Sequence, residues 1–141
     1  MNKFQLRKKI SKIRSKFSRK KITVNSEAII KLIERKSPNK RVGLYYPIGN
    51  ELSTLELMKR LYKKKFIISL PIISNKFDMS FYIWSPNEPL TINRFGILEP
   101  FKGKKITPST LIIPMLAFDS NLNRLGSVSY THLTLPTICS V

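Results

Sequence analysis

The sequence predicts an α/β fold with a mostly parallel sheet, and three observations carry that expectation. A compact apolar run, Val42 to Tyr46, is followed by a Pro47, Gly49 turn and then by helical spacing through Leu55, Met58, Leu61 and Tyr62. A second β-rich run, Phe66 to Leu70, closes at Pro71. Residues 42 to 70 therefore read as strand, helix, strand, a unit whose crossover is right-handed and whose strands are parallel. The third observation is Leu111 to Pro114, one more short apolar run of the kind that forms a buried strand.

Taken in chain order, each element has a local reason. Leu6, Ile10, Ile13 and Phe17 recur at spacings of four, three and four, with Lys and Arg covering the rest, so residues 3 to 19 read as an amphipathic helix. Asn25 or Ser26 caps a second helix through Ile29, Ile30 and Ile33, which ends near Arg35 before the Ser37, Pro38, Asn39 breaker. Thr54 to Lys63 is the crossover helix. In Asp78 to Trp84, Met79, Phe81 and Ile83 alternate with Ser80, Tyr82 and Trp84, the pattern of a strand with one buried face, placed antiparallel or at an edge. A Pro and Asn loop (Ser85 to Pro89) and a turn around Gly96 to Pro100 follow. No internal repeat is found.

Composition bounds the function. The chain has 141 residues, about one domain by length, and its 42% hydrophobic content is enough to bury a core. Lys and Arg number 26 against 8 Asp and Glu, a formal charge of +18, which points to an anionic ligand. The excess is N-terminal: residues 1 to 21 hold ten Lys or Arg and no acid, whereas residues 42 to 58 hold only Glu51 and Glu56. The longest apolar stretch, Phe66 to Ile73, is interrupted by Ser69 and Pro71 and falls short of the roughly 18 to 20 residues a membrane span needs. One cysteine, Cys139, and one histidine, His132, make neither an internal disulfide nor a zinc module. The first twenty residues lack the continuous apolar core of a secretory signal; their basic, acid-free character leaves a transit peptide open, and the default location is cytoplasmic.

In an open α/β sheet, ligands bind beyond the carboxyl ends of the strands. Tyr46 to Glu51 qualifies, with an aromatic and a lone carboxylate just past the first strand, although a single Glu at a helix start is more often a partner of the helix dipole. Asp119 to Gly126 qualifies as a loop after the last strand, an Asn-rich turn with one Arg that on local grounds is a solvated loop. Lys3 and Arg7, four apart on one helix face, could reach a phosphate, or equally belong to a solvated basic face.

In order, Lys3-Phe4-Gln5-Leu6-Arg7, Val42-Gly43-Leu44-Tyr45-Tyr46, Asn50-Glu51-Leu52-Ser53-Thr54, Ser69-Leu70-Pro71, Met79-Ser80-Phe81, Gly96-Ile97-Leu98-Glu99-Pro100 and Leu111-Ile112-Ile113-Pro114 are joined by Ala117-Phe118-Asp119 and Asn123-Arg124-Leu125-Gly126. The ordered set, spanning residues 3 to 126, closely resembles the 5-formyltetrahydrofolate cyclo-ligase (5,10-methenyltetrahydrofolate synthetase) family. That resemblance implies a three-layer, mostly parallel sheet with Rossmann-like topology, incomplete here at the C-terminus. It also implies an ATP- and Mg2+-dependent ligase of one-carbon metabolism that cyclises 5-formyltetrahydrofolate to 5,10-methenyltetrahydrofolate, releasing ADP and phosphate. By the family's pattern, Lys3, Phe4, Gln5, Leu6 and Arg7 together with Arg124, Leu125 and Gly126 bind ATP, while Tyr46 and Glu51 line the folate site. The implied partner is 5-formyltetrahydrofolate, free or polyglutamylated; a monomer with no specific nucleic acid and no membrane partner is expected.

After Gly126 the sequence departs from the family. The family continues with one residue and then Gly-x-Gly-Tyr-Tyr-Asp, a phosphate cradle with an acidic magnesium ligand; this chain reads Ser127-Val128-Ser129-Tyr130-Thr131-His132 instead. The run Val128 to Thr137 resembles the translation of a sequencing adaptor. Residues 1 to 126 are therefore expected to form a partial cyclo-ligase-like domain, residues 127 to 141 a non-native tail, and the metal ligand to be missing with most of the activity. The alternatives are a small basic RNA-binding protein and a non-catalytic nucleotide or anion binder. An RNA-binding module needs exposed aromatic platforms, whereas Tyr45, Phe66, Phe81 and Phe118 fall in apolar runs expected to be core.

Overall fold

A computed structural model of the chain describes residues 1–18, 24–74 and 78–126. The amphipathic helix is present as α1 (Lys3–Ser18), and the second helix as α2 (Ser26–Lys36). Asn25 caps α2, its side chain accepting from the Ala28 N–H at 3.2 Å. The strand, helix, strand unit follows as β1 (Arg41–Gly43), α3 (Leu55–Lys63) and β2 (Ile67–Ile73). β3 (Met79–Ile83), β4 (Leu90–Ile92), β5 (Leu98–Pro100), β6 (Lys105–Ile106), β7 (Thr110–Leu111), β8 (Ala117–Phe118) and β9 (Arg124–Leu125) complete the described elements.

The main sheet has the order β6-β3-β2-β1-β7. β1 runs parallel to both β2 and β7, so the expected parallel core is there, while β3 and β6 extend it by antiparallel pairing. One face is covered by α2 and α3: Ile30, Ile33, Leu57, Met58 and Leu61 pack on Val42, Leu44, Ile68 and Leu70. The other face carries a smaller cluster of Met79, Phe81 and Leu111. Together these buried surfaces supply the hydrophobic stabilisation of the domain.

Several sequence expectations are revised. β2 does not close at Pro71 but runs through it. The backbone N–H of Ile67 faces β1, donating to the Lys40 carbonyl, and Ser69 accepts from Leu44 on that same side. By alternation the missing N–H of Pro71 falls on the β1 side, beyond the last β1 residue, where a ladder bond is not required. The first and last predicted strands are shorter than expected, although Leu44 and Ile112 continue the backbone bonding. Within β3 Met79 and Phe81 are buried and Ser80 and Tyr82 only partly so, as expected, but Trp84, just past the strand and expected on its open side, is buried. The turn around Gly96 to Pro100 is half of a ribbon, β4 and β5, closed at Asn93 to Ile97, where Gly96 takes a φ of 74° that other residues rarely adopt. Phe118, expected in the core, is 71% exposed. The end of the first helix at residue 19 and the tail from 127 to 141, including His132 and Cys139, lie outside the described residues.

Candidate active site

β1 has parallel neighbours on both sides, one following it in sequence and the other approached from the far end of the chain. This is a topological switch point, and the loops leaving β1 and β7 splay apart there to form the crevice in which such sheets bind ligands. Loop 44–52 leaves β1; segment 112–116 leaves β7 and leads into the hairpin of β8 and β9. α1 reaches the chain on either side of that hairpin, and arginines hold it there. Arg7 Nε donates to the Gly126 carbonyl at 3.2 Å, and Arg14 donates to the Met115 carbonyl at 2.8 Å. The two arginines are seven residues apart, two helical turns, so one face of α1 meets the chain just before and just after the hairpin.

The start of α1 has its own local cause. Asn2 Oδ1 accepts from the Gln5 N–H at 2.8 Å and Gln5 Oε1 accepts from the Asn2 N–H at 3.2 Å, a reciprocal cap. Gln5 is thus a capping residue. Lys3 and Phe4 are exposed, Leu6 borders on exposed, and Arg7 turns inward to Gly126. The structure therefore brings the Lys3 to Arg7 segment against the Arg124 to Gly126 segment, 119 residues away. In the hairpin turn, Asp119 accepts from the Asn121 and Asn123 N–H groups and from the Asn123 side chain, which holds its carboxyl below the usual range. That is a turn-forming role, since all three bonds close the hairpin.

Tyr46 and Glu51 share a loop but not their surroundings. The Tyr46 ring stands edge-on to Trp84 at 6.2 Å, in a cleft of about 460 Å3 shared with Leu55, Met58, Leu90 and Leu98 on the face of α3. Glu51 Oε2 accepts from the Ile48 N–H at 3.0 Å. Its charge acts on Tyr45, whose hydroxyl donates to the Leu52 carbonyl at 2.9 Å. Burial pushes the Tyr45 phenol up to about 12, the Glu51 charge adds to the rise, and Arg14 opposes it. Tyr45 and Arg14 were not singled out as site residues from the sequence. Helical spacing from Arg7 was the available signal for Arg14; the apolar run Val42 to Tyr46 signalled the burial of Tyr45 but not its nearness to Glu51 and Arg14.

A second cleft, about 700 Å3, opens between α1 and β8. Ile10, Ile13 and Phe17 face Leu52, Met115 and Phe118 across it, with Arg14 in its wall. The apolar stripe read from the sequence is thus only half covered: Ile13 is 45% and Phe17 51% exposed. Among the described residues no group of three or more His, Cys, Asp or Glu could hold a metal ion, and residues 127–141 contain no Asp or Glu. No step is assigned to a metal ion.

The sequence matches the family described as "5-formyltetrahydrofolate cyclo-ligase family" over residues 1–129. The chain belongs to this family. A 5-formyltetrahydrofolate cyclo-ligase from Haemophilus influenzae is 29% identical over 133 residues, 86% of this chain and 71% of the relative. The NMR structure of a 5,10-methenyltetrahydrofolate synthetase from Aquifex aeolicus superposes with a TM-score of 0.70 at 30% identity, covering 90% of this chain and 68% of that one. A synthetase of the same name from Mycoplasma pneumoniae has a TM-score of 0.57 at 18% identity, covering 92% of this chain and 74% of that one, and shares the fold. This cyclo-ligase family member is thus a ligase with a mixed α/β sheet whose core is parallel. Among its described residues no helix is long and apolar enough to cross a membrane.

The raised Tyr45 pKa gives a signed pH dependence. The folded phenol holds its proton to about 12, whereas the unfolded one releases it near 10, so its stability contribution is intact below pH 10 and is lost as pH rises from 10 to 12. Alkaline unfolding followed by circular dichroism is expected to lose part of its steepness over that window in Tyr45→Phe. An unchanged profile in the variant counts against this assignment.

Proposed function

We propose that the site binds ATP and 5-formyltetrahydrofolate for cyclisation to 5,10-methenyltetrahydrofolate. The formyl oxygen attacks the γ-phosphorus and ADP leaves; N10 then attacks the activated carbon, and phosphate and the N10 proton depart, forming the ring. The observation that carries this reading is the bond from Arg7 to Gly126, which closes two distant segments into one cationic edge at the switch point. Phosphoryl transfer depends chiefly on positioning and charge neutralisation. Lys3 and Arg7 supply cations at the helix start, and Arg124 lies on β9, just ahead of Gly126. Phe4, Gln5, Leu6 and Leu125 form the backbone that holds these groups in place.

Glu51 is assigned to the donor edge of the pterin, because a carboxylate offers acceptors only. Tyr46 is assigned to holding the Glu51 loop through its contact with Trp84. Both substrates are anions, and the +18 charge of the chain steers them to the site.

We further propose that this polypeptide, with Ser127 onward in place of a glycine-rich cradle, binds its substrates but turns them over little. The experiment pairs calorimetric titration of the 141-residue chain with ATP and with 5-formyltetrahydrofolate and a spectrophotometric assay of methenyl product. Binding of both with negligible turnover is the expected result. Normal turnover overturns the second proposal, and failure to bind either substrate overturns the first.

A further inference from the structure

The cleft between α1 and β8 has a composition that the cyclisation chemistry does not use. Of the nine described residues that line it, eight are apolar, Ile10, Ile13, Phe17, Leu52, Met115 and Phe118 among them, and the ninth is a cation, Arg14. Its volume of about 700 Å3 lies within the range of small-molecule sites, roughly 300 to 1,000 Å3. Exposed apolar groups gathered in one place mark a binding surface, and Phe118 at 71% and Phe17 at 51% exposure are the largest here.

Arg14 is partly buried, and Met115 takes one of its five N–H donors; the described residues accept no other. A guanidinium held in an apolar wall with donors to spare suits a carboxylate, which it can grip at two points. The ligand is therefore an apolar body ending in a carboxylate.

The pterin does not match this cleft, since its ring edges carry several donors and acceptors and the lining offers almost none. The remainder of the proposed substrate does: an aminobenzoyl ring followed by a glutamate. Leu52, which lines the cleft, directly follows Glu51, so the cleft adjoins the residue assigned to the pterin. We propose that this cleft seats the aminobenzoyl ring, with Arg14 gripping the glutamate carboxylate as a specificity-determining contact. The inference rests on the folate reading given above.

The test compares 5-formyltetrahydrofolate with 5-formyltetrahydropteroate, which lacks the glutamate, by calorimetry on the full chain. The wild type is expected to bind the folate about tenfold or more tightly than the pteroate, the value of a charged hydrogen-bonded contact. Arg14→Gln is expected to abolish that preference while leaving pteroate affinity within about twofold, and Arg14→Lys to keep part of it. Phe118→Ala, at an exposed position, is expected to weaken both pterin ligands together. A wild-type circular dichroism spectrum and melting transition show that each variant is folded. Equal binding of folate and pteroate by the wild type, or a preference that survives in Arg14→Gln, overturns this inference while the folate reading stands. Absence of folate binding by the wild type overturns both.

Discussion

Replacing Arg7 by Gln is expected to weaken ATP binding by about ten- to a hundredfold while leaving 5-formyltetrahydrofolate affinity within about twofold. The size follows from the double position of this side chain. Its Nε is already committed to the Gly126 carbonyl at 3.2 Å, which leaves the rest of the planar guanidinium for a phosphate. The Gln variant loses the charge and the tie between the two segments together. Arg7→Lys keeps the charge but has no fork with which to hold Gly126 and a phosphate at once, so an intermediate loss is expected. Titration calorimetry at two salt concentrations checks both, because removing a phosphate contact also flattens the salt dependence. Wild-type ATP affinity in Arg7→Gln removes this residue from the phosphate site.

The second large effect belongs to the sheet. Gly43 sits mid-sheet on β1, paired with Ser69 on one side and Leu111 on the other. A Cβ placed on it would lie 2.5 Å from Leu111 Cδ2 and 2.8 Å from Phe81 Cε1, and both of those side chains are buried. Neither can swing out to solvent, so the strand must shift. Gly43→Ala is expected to cost about 2 kcal/mol, as overpacked cores do, lowering the melting midpoint by roughly 6 to 10 °C. Gly43→Val is expected to cost more. Chemical denaturation measures this directly, and a Leu111→Ala background provides the control: the vacated space should reduce the cost of Gly43→Ala. Equal costs in both backgrounds exclude the contact with Leu111 as the cause. Because loop 44–52 leaves β1 immediately after Gly43, a shift here also displaces Tyr45 and Glu51 from the arms of the site.

Much of this arrangement is legible in local patterns. Helical spacing placed α1, α2 and α3 to within a few residues, and the unit from β1 to β2 came out parallel as its crossover demanded. The ribbons were not legible. β4 with β5 and β8 with β9 are strands of two or three residues, too short for an alternation to show. They are held by partners across a turn, and the Asp119 bonds that close one turn look in sequence like any solvated loop. Trp84 likewise read as an outward residue of a half-buried strand, because alternation reports two faces but not what covers each.

For this cyclo-ligase family member the sequence by itself determined which segments bend into helices and strands, where the cationic excess lies and which family the ordered motifs belong to. All of these rest on neighbours within a few positions or on residue identity. Tertiary structure alone decided that Arg7 meets Gly126, that Arg14 faces an apolar cleft, that Tyr46 and Glu51 look into different surroundings and that Gly43 has no room for a side chain. Each of those depends on close approach between segments far apart in the chain. That approach is set by how the sheet orders its strands and how helices pack on it, a property of the whole core and not of any one stretch.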